Sequence, residues 1–97
     1  METIPPVLKI GALDYEVILI DELPERCGDT DFSTQIIRLE GKSTPESQEL
    51  SLLHEIIHAF NSEISETEVD WLAHAFHQVL TENDLYFYKS PKVKVIA

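Results

Sequence analysis

Two histidines four positions apart, in the segment LLHEIIHAF (52–60), are the residues of this chain best suited to metal chemistry. On an α-helix, residues i and i+4 lie one turn apart on the same face, so His54 and His58 can present ring nitrogens to one ion. Glu55 lies about 100° further around the helix than His54, beside the ligands rather than among them. This arrangement is typical of zinc sites in which the glutamate acts as general base.

A single histidine on an apolar helix is more often a core residue whose ring is hydrogen-bonded to the backbone. Here two histidines and a glutamate share an otherwise apolar segment, where each buried polar group costs about 1–3 kcal/mol unless it finds a partner. A metal ion would supply such partners. The segment therefore predicts a Zn²⁺ site in which Glu55 is the catalytic residue, accepting a proton from water activated by the metal.

A catalytic zinc site needs a third protein ligand, and the following segment ETEVDWLA (66–73) offers candidates. Glu66 and Asp70 lie on one face of the predicted second helix, at i and i+4. If the two helices form an antiparallel hairpin, His58 is level with Asp70, and Glu66 lies nearer the turn. Both carboxylates therefore remain candidates.

Other polar residues of the second helix and the tail carry weaker expectations. Glu68 lies about 200° around the helix from Glu66 and is better explained by helix capping. His74 is an alternative ligand, although its simpler interpretation is a helix histidine without a metal. His74, His77 and Tyr86 are candidate donors to the oxyanion that develops during amide hydrolysis.

The elements that must position these residues can be predicted from the sequence pattern. Residues 7–20 predict a β-hairpin whose turn uses Gly11 and Asp14, and residues 34–40 predict a further strand. The acidic segment 21–33 is rich in turn formers and predicts a loop.

The hydrophobic period then changes to that of helices. Thr44 and Pro45 predict the start of a first helix, and Ser65 followed by Glu68 predicts a capping box that opens a second. The expected fold is α+β: a mostly antiparallel sheet of about three strands packed on a helix hairpin. We expect one domain over residues 1–97, with its core at about 7–85 and a C-terminal tail at 86–97; the helix carrying HEIIH makes it similar to zincin metallopeptidases.

The charge of the chain excludes some partners. Eighteen acidic residues against seven basic ones give a formal net charge of −11, which repels phosphate backbones and anionic lipids. We therefore expect no nucleic-acid or membrane partner. The single cysteine allows no internal disulfide, and no secretory leader is recognisable, so a cytoplasmic setting is expected.

HEIIH followed by ETEVDWLA resembles the HExxH plus ExxxD signature of gluzincin metallopeptidases, whose third zinc ligand is a glutamate. The element order over about residues 7–85 is similar to that of small phage-encoded ImmA/IrrE-like proteins. The resemblance implies zinc-dependent hydrolysis of a peptide or protein substrate, with Glu66 as third ligand and Asp70 orienting a ligand histidine. Only seven residues separate His58 from Glu66, a shorter link than in larger gluzincins.

In zincins, a strand that precedes the metal helix lines the cleft and pairs with the substrate backbone. By resemblance, residues 34–40 would form this substrate-binding edge, although an interior strand is the other interpretation of the segment. The alternative function is a non-catalytic zinc-binding protein, or a vestigial zincin, that acts as a protein-interaction or phage accessory module.

Overall fold

A computed structural model of the chain describes residues 4–23 and 27–85, which form a four-stranded sheet and two helices. The elements in chain order are β1 (Val7–Ile10), β2 (Leu13–Ile20), β3 (Gly28–Asp31), β4 (Ile36–Glu40), α1 (Pro45–Phe60) and α2 (Glu66–Glu82). The strand order is β1-β2-β4-β3, with β2 and β4 parallel and the other two pairs antiparallel. The expected α+β class is confirmed, with four strands instead of about three.

The turn of the first hairpin lies before Asp14. Gly11 has a φ of +61°, in the left-handed region that glycine tolerates best, and Gly11 and Ala12 alone connect the strands. Asp14 belongs to β2, opposite Lys9, and its carboxylate lies 3.6 Å from the lysine ammonium. The prediction that Asp14 forms part of the turn is therefore wrong.

Strand β3 lies within the segment predicted as a loop. Its sequence GDTD consists largely of residues that are depleted in strands, so local pattern gives no sign of it. Pairing with β4 creates the strand: Asp29 lies opposite Arg38, whose Nε donates to Asp29 Oδ1 at 2.7 Å. Because β3 pairs outside β4, β4 is an interior strand, and the expectation that residues 34–40 form an edge is wrong.

The core lies between the sheet and α1. Tyr15 and Val17 of β2 and Ile37 and Leu39 of β4 alternate with more exposed residues and pack with Leu52 of α1. Helix α1 contacts β1, β3 and β4, whereas α2 contacts only α1 among the described elements. The sheet thus fixes α1, and α1 in turn positions α2.

The predicted caps of both helices are present. The Thr44 hydroxyl accepts a hydrogen bond from the Ser47 amide at 3.1 Å, and the Ser65 hydroxyl accepts one from the Glu68 amide at 3.2 Å. Ser65 is thus confirmed as the N-cap, and Glu68 Oε1 contacts it by accepting a hydrogen bond of 3.0 Å from the Ser65 hydroxyl. Residues 61–65 alone join the helices, so the tight hairpin is confirmed. In the described part of the chain, neither helix has the length and apolar character needed to cross a membrane.

Candidate metal centre

The structure brings together the two histidines of α1 and the first residue of α2. Glu66 Oε2 lies 3.2 Å from His54 Nε2, and Glu66 Oε1 lies 2.5 Å from His58 Nε2. One donor atom from each of the three side chains can be chosen so that all lie within 4.8 Å of one another. These three side chains could hold a metal ion, and we call His54, His58 and Glu66 the metal group.

The chemistry of this group fits a metal. Ligands of a tetrahedral zinc ion lie roughly 3.4 Å apart, comparable to the spacing of these atoms. His58 Nε2 is buried and, although close to Glu66, has no partner in hydrogen-bond geometry among the residues that the structure describes. A buried ring nitrogen without a hydrogen bond costs free energy, and coordination to an ion would remove that cost.

Asp70 lies beside His54, not beside His58. Its Oδ1 is 3.8 Å from His54 Nδ1, the ring nitrogen opposite the one that faces Glu66. The expectation that Asp70 is level with His58 is therefore wrong: Glu66, with a longer side chain at the start of α2, reaches both histidines. A carboxylate next to the distal nitrogen of a ligand histidine is suited to fixing the tautomer of that ring.

Glu55 is held by a residue that the sequence analysis missed. Its side chain is only 8% exposed, and its Oε1 accepts a hydrogen bond of 2.7 Å from Thr30 Oγ1 on β3. At Gly28 a Cβ atom would lie 3.5 Å from Glu55 Cγ and 3.1 Å from Leu39 Cδ2, so this glycine lets β3 approach α1 closely. Nothing in the local sequence marks Thr30, because its role depends on the unpredicted strand β3.

The metal group and Glu55 open into one cavity of about 720 Å³. Its walls are α1, the N-terminal half of α2, and β3 with its flanking residues. Among the described residues that line it there is no lysine or arginine, whereas four are acidic: Asp29, Glu55, Glu66 and Asp70. The described lining is therefore acidic and would attract positively charged groups.

The three candidate oxyanion donors are placed differently. His74 lines the cavity, and its Nδ1 donates to the Asp70 carbonyl oxygen at 2.9 Å. Its Nε2 can donate to an oxyanion only when the ring is protonated, since the neutral ring then carries its single proton on Nδ1. His77 does not line the cavity: it is buried, and its Nε2 lies 2.8 Å from Glu49 Oε1 on α1. Tyr86 lies outside the described residues.

Two groups near the cavity wall have shifted pKa values. The hydrogen bond from the Ser33 hydroxyl, with further bonds from the turn after β3, holds the pKa of Asp31 below its usual value. The hydrogen bond to Asp29 raises the pKa of Arg38. Arg38 thus stays a cation that offsets the charge of Asp29, and Glu66 and Asp70 remain as the exposed acids of the cavity.

Comparison with protein-family models, with curated proteins and with solved structures finds no match to this chain.

Proposed function

We propose that this chain is a zinc-dependent peptidase that hydrolyses peptide bonds in extended segments of a peptide or protein. The observation that carries the proposal is that the His54, His58 and Glu66 group and the Glu55 carboxylate line the same cavity. A site that only binds an ion has no need of a buried acid next to its ligands. A hydrolytic site needs one to accept a proton.

Two imidazoles and one carboxylate form the ligand set of many catalytic zinc sites, which supports zinc as the ion. A bound zinc ion would supply Lewis-acid chemistry: it would polarise the substrate carbonyl and lower the pKa of water, so that hydroxide is available as the nucleophile near neutral pH. His54, His58 and Glu66 would hold the ion. Asp70 would orient the ring of His54 through its distal nitrogen, at the 3.8 Å separation present in the structure.

Glu55 is the proposed general base. Thr30 donates to its Oε1, so that oxygen is fixed and Oε2 is left to take the proton from water. The same carboxyl can then return the proton to the amide nitrogen as the peptide bond breaks. Burial of Glu55 within the wall formed by β3 and α1 keeps its orientation constant through both transfers.

Strand β3 is the proposed backbone-binding edge for the substrate. The Glu40 amide donates to the Cys27 carbonyl, so by the alternation of antiparallel ladders the backbone groups of Asp29 and Asp31 also point to β4. Those of Gly28 and Thr30 then point outward, on the side of β3 that no other described strand covers. An extended peptide that pairs with them would lie along the cavity.

A structural metal site is the second candidate function. One observation favours it: the ligands come from both helices, and α2 has no other described element to pack on than α1. An ion at this position would join α2 to the rest of the fold and stabilise the hairpin.

The deciding experiment combines metal analysis with a peptide-cleavage assay. Wild type and Glu55→Gln should each bind about one zinc ion per chain, whereas His54→Ala and His58→Ala should bind none. Cleavage of extended peptides that contain basic residues is followed by mass spectrometry. We expect Glu55→Gln to lower the cleavage rate by about 10²-fold or more, because it removes the proton acceptor and keeps the ligands.

A matched pair of glutamates controls for charge. Glu66→Gln should weaken zinc binding, whereas Glu63→Gln, an exposed position in the link, should leave binding and cleavage unchanged. Zinc binding with equal, negligible cleavage by wild type and Glu55→Gln would favour the structural candidate. Absence of zinc binding by the wild type would refute both candidates.

A further inference from the structure

Helix α2 carries an apolar surface on the side that does not face the metal centre. Trp71, Phe76 and Val79 are 70%, 55% and 46% exposed, and the half-buried Leu72 and Ala75 lie among them. Residues 71, 75 and 79 each lie only about 40° around the helix from the one before, so they form one stripe, and residues 72 and 76 lie beside it. We call these five residues the α2 apolar face.

None of the described elements covers this face. Among the described elements helix α2 contacts only α1, through the adjoining side of the helix, where Val69 and Ala73 are fully buried. Single exposed apolar residues are common on protein surfaces, but a contiguous stripe over two helical turns that contains a tryptophan is typical of an interaction site. The position of the stripe is also separate from the ligands His54, His58 and Glu66.

The charges around the α2 apolar face restrict its partner. Glu68 and Glu82 are exposed, and lie one turn before Trp71 and one turn after Val79 on the same side of the helix. No lysine or arginine occurs between Lys42 and Lys89, whereas residues 45–85 contain nine acidic residues. The face is therefore apolar at its centre and negative at both ends.

A second copy of the chain does not fit this surface well. In a two-fold antiparallel pair of α2 helices centred on Ala75, Glu68 of one copy would lie opposite Glu82 of the other. Like charges in this arrangement oppose association, and each copy brings a net charge of −11. Charge complementarity instead favours a partner that is apolar along one stripe and basic beside it.

We propose that the α2 apolar face binds an amphipathic helical segment of another protein, with apolar residues at i, i+3, i+4 and i+7 flanked by lysine or arginine. The apolar stripe of the partner would bury Trp71, Phe76 and Val79, and its cations would pair with Glu68 and Glu82. This proposal is independent of the proposed peptidase activity, because no residue of the face belongs to the metal group.

Trp71 is the only tryptophan of the chain, so its fluorescence reports directly on this face. The probe is an 18-residue helical peptide with leucines in the stated stripe and lysines beside it, titrated into the full chain. Binding should shift Trp71 emission to shorter wavelength in a saturable way and protect it from acrylamide quenching. A shuffled peptide of the same composition should give no saturable change.

Substitutions then locate the interaction. Phe76→Ser combined with Val79→Ser keeps the reporter and should weaken binding by at least about tenfold, since both substitutions remove apolar surface that the complex would bury. Glu68→Gln with Glu82→Gln should weaken binding and reduce its salt dependence. Leu19→Ser, at a similarly exposed apolar position on the sheet, is the matched control and should bind like the wild type.

Four results would overturn the proposal. Equal responses to the designed and shuffled peptides would mean non-specific charge attraction. Blue-shifted, quencher-resistant emission in the free chain would mean that the face is already covered, by a second copy if the effect depends on concentration and by the same chain if it does not. A blue shift with phosphatidylcholine vesicles would indicate a lipid surface instead of a helical segment. Full binding by the Phe76 and Val79 double variant would place the contact elsewhere.

Discussion

The hydrogen bond between Thr30 and Glu55 allows the most direct test of how the site is built. Thr30→Val keeps the shape of the side chain and removes its hydroxyl. Glu55, a residue only 8% exposed, then loses the 2.7 Å hydrogen bond on its Oε1. Hydrogen bonds to charged groups contribute about 1.5–3 kcal/mol. In a domain of this size that loss should lower Tm by roughly 6 °C or more.

The assay is a double-mutant cycle on thermal and urea unfolding, carried out with chelator present so that no metal contributes. Thr30→Val is measured in the wild type and in Glu55→Met, which has no carboxylate left to pair. The coupling energy between Thr30→Val and Glu55→Met should account for most of the free energy of unfolding that Thr30→Val removes from the wild type. Thr30→Ser should retain most of the wild-type stability. If Thr30→Val lowers the free energy of unfolding equally in both backgrounds, the Thr30 hydroxyl does not hold Glu55.

Further predictions concern two other contacts. Glu49→Ala leaves His77 buried without its partner and should lower the free energy of unfolding by about 1–3 kcal/mol, measured in urea, with zinc affinity unchanged. A change in zinc affinity would instead link this pair to the metal centre. The pKa of Asp31 lies below its ordinary value of 3.8, so the stability it contributes is present above that value and is lost as pH falls through the lower folded-state pKa. Ser33→Ala should raise the pKa of Asp31 toward 3.8 in an NMR titration, and an unchanged pKa would show that the hydroxyl is not its main cause.

The helical half of the molecule could be predicted from sequence because its signals are local. The caps at Thr44 and Ser65, the apolar period of α1 and the short link each depend on a few neighbouring residues. The pairing of His54 and His58 in the metal group could be predicted for the same reason, because their i and i+4 spacing places both rings on one face of the helix.

The sheet half was harder to predict because its strands depend on distant partners. Nothing in GDTD favours an extended conformation, and β3 exists because its residues pair with β4. Without β3, the sequence does not show that β4 is an interior strand, and Thr30 cannot be recognised as the partner of Glu55. Residue spacing also left open the choice between Glu66 and Asp70, because that choice depends on how far each side chain reaches across the hairpin, which helical periodicity does not describe.

The candidate site contains two long-range contacts, one within the metal group and one between Thr30 and Glu55. Different lengths of chain separate the partners of each contact. His54 and Glu66 are 12 residues apart within one helix hairpin, whereas Thr30 and Glu55 are 25 apart and belong to different layers of the fold. Loop-closure entropy and contact order both favour forming the shorter contact first. His54, His58 and Glu66 can therefore come together as soon as the hairpin forms, while the support for the proposed base is completed only when β3 docks against α1. Binding of an ion by these three side chains would thus report on the folding of the hairpin, and the orientation of Glu55 would report on the docking of the sheet against α1.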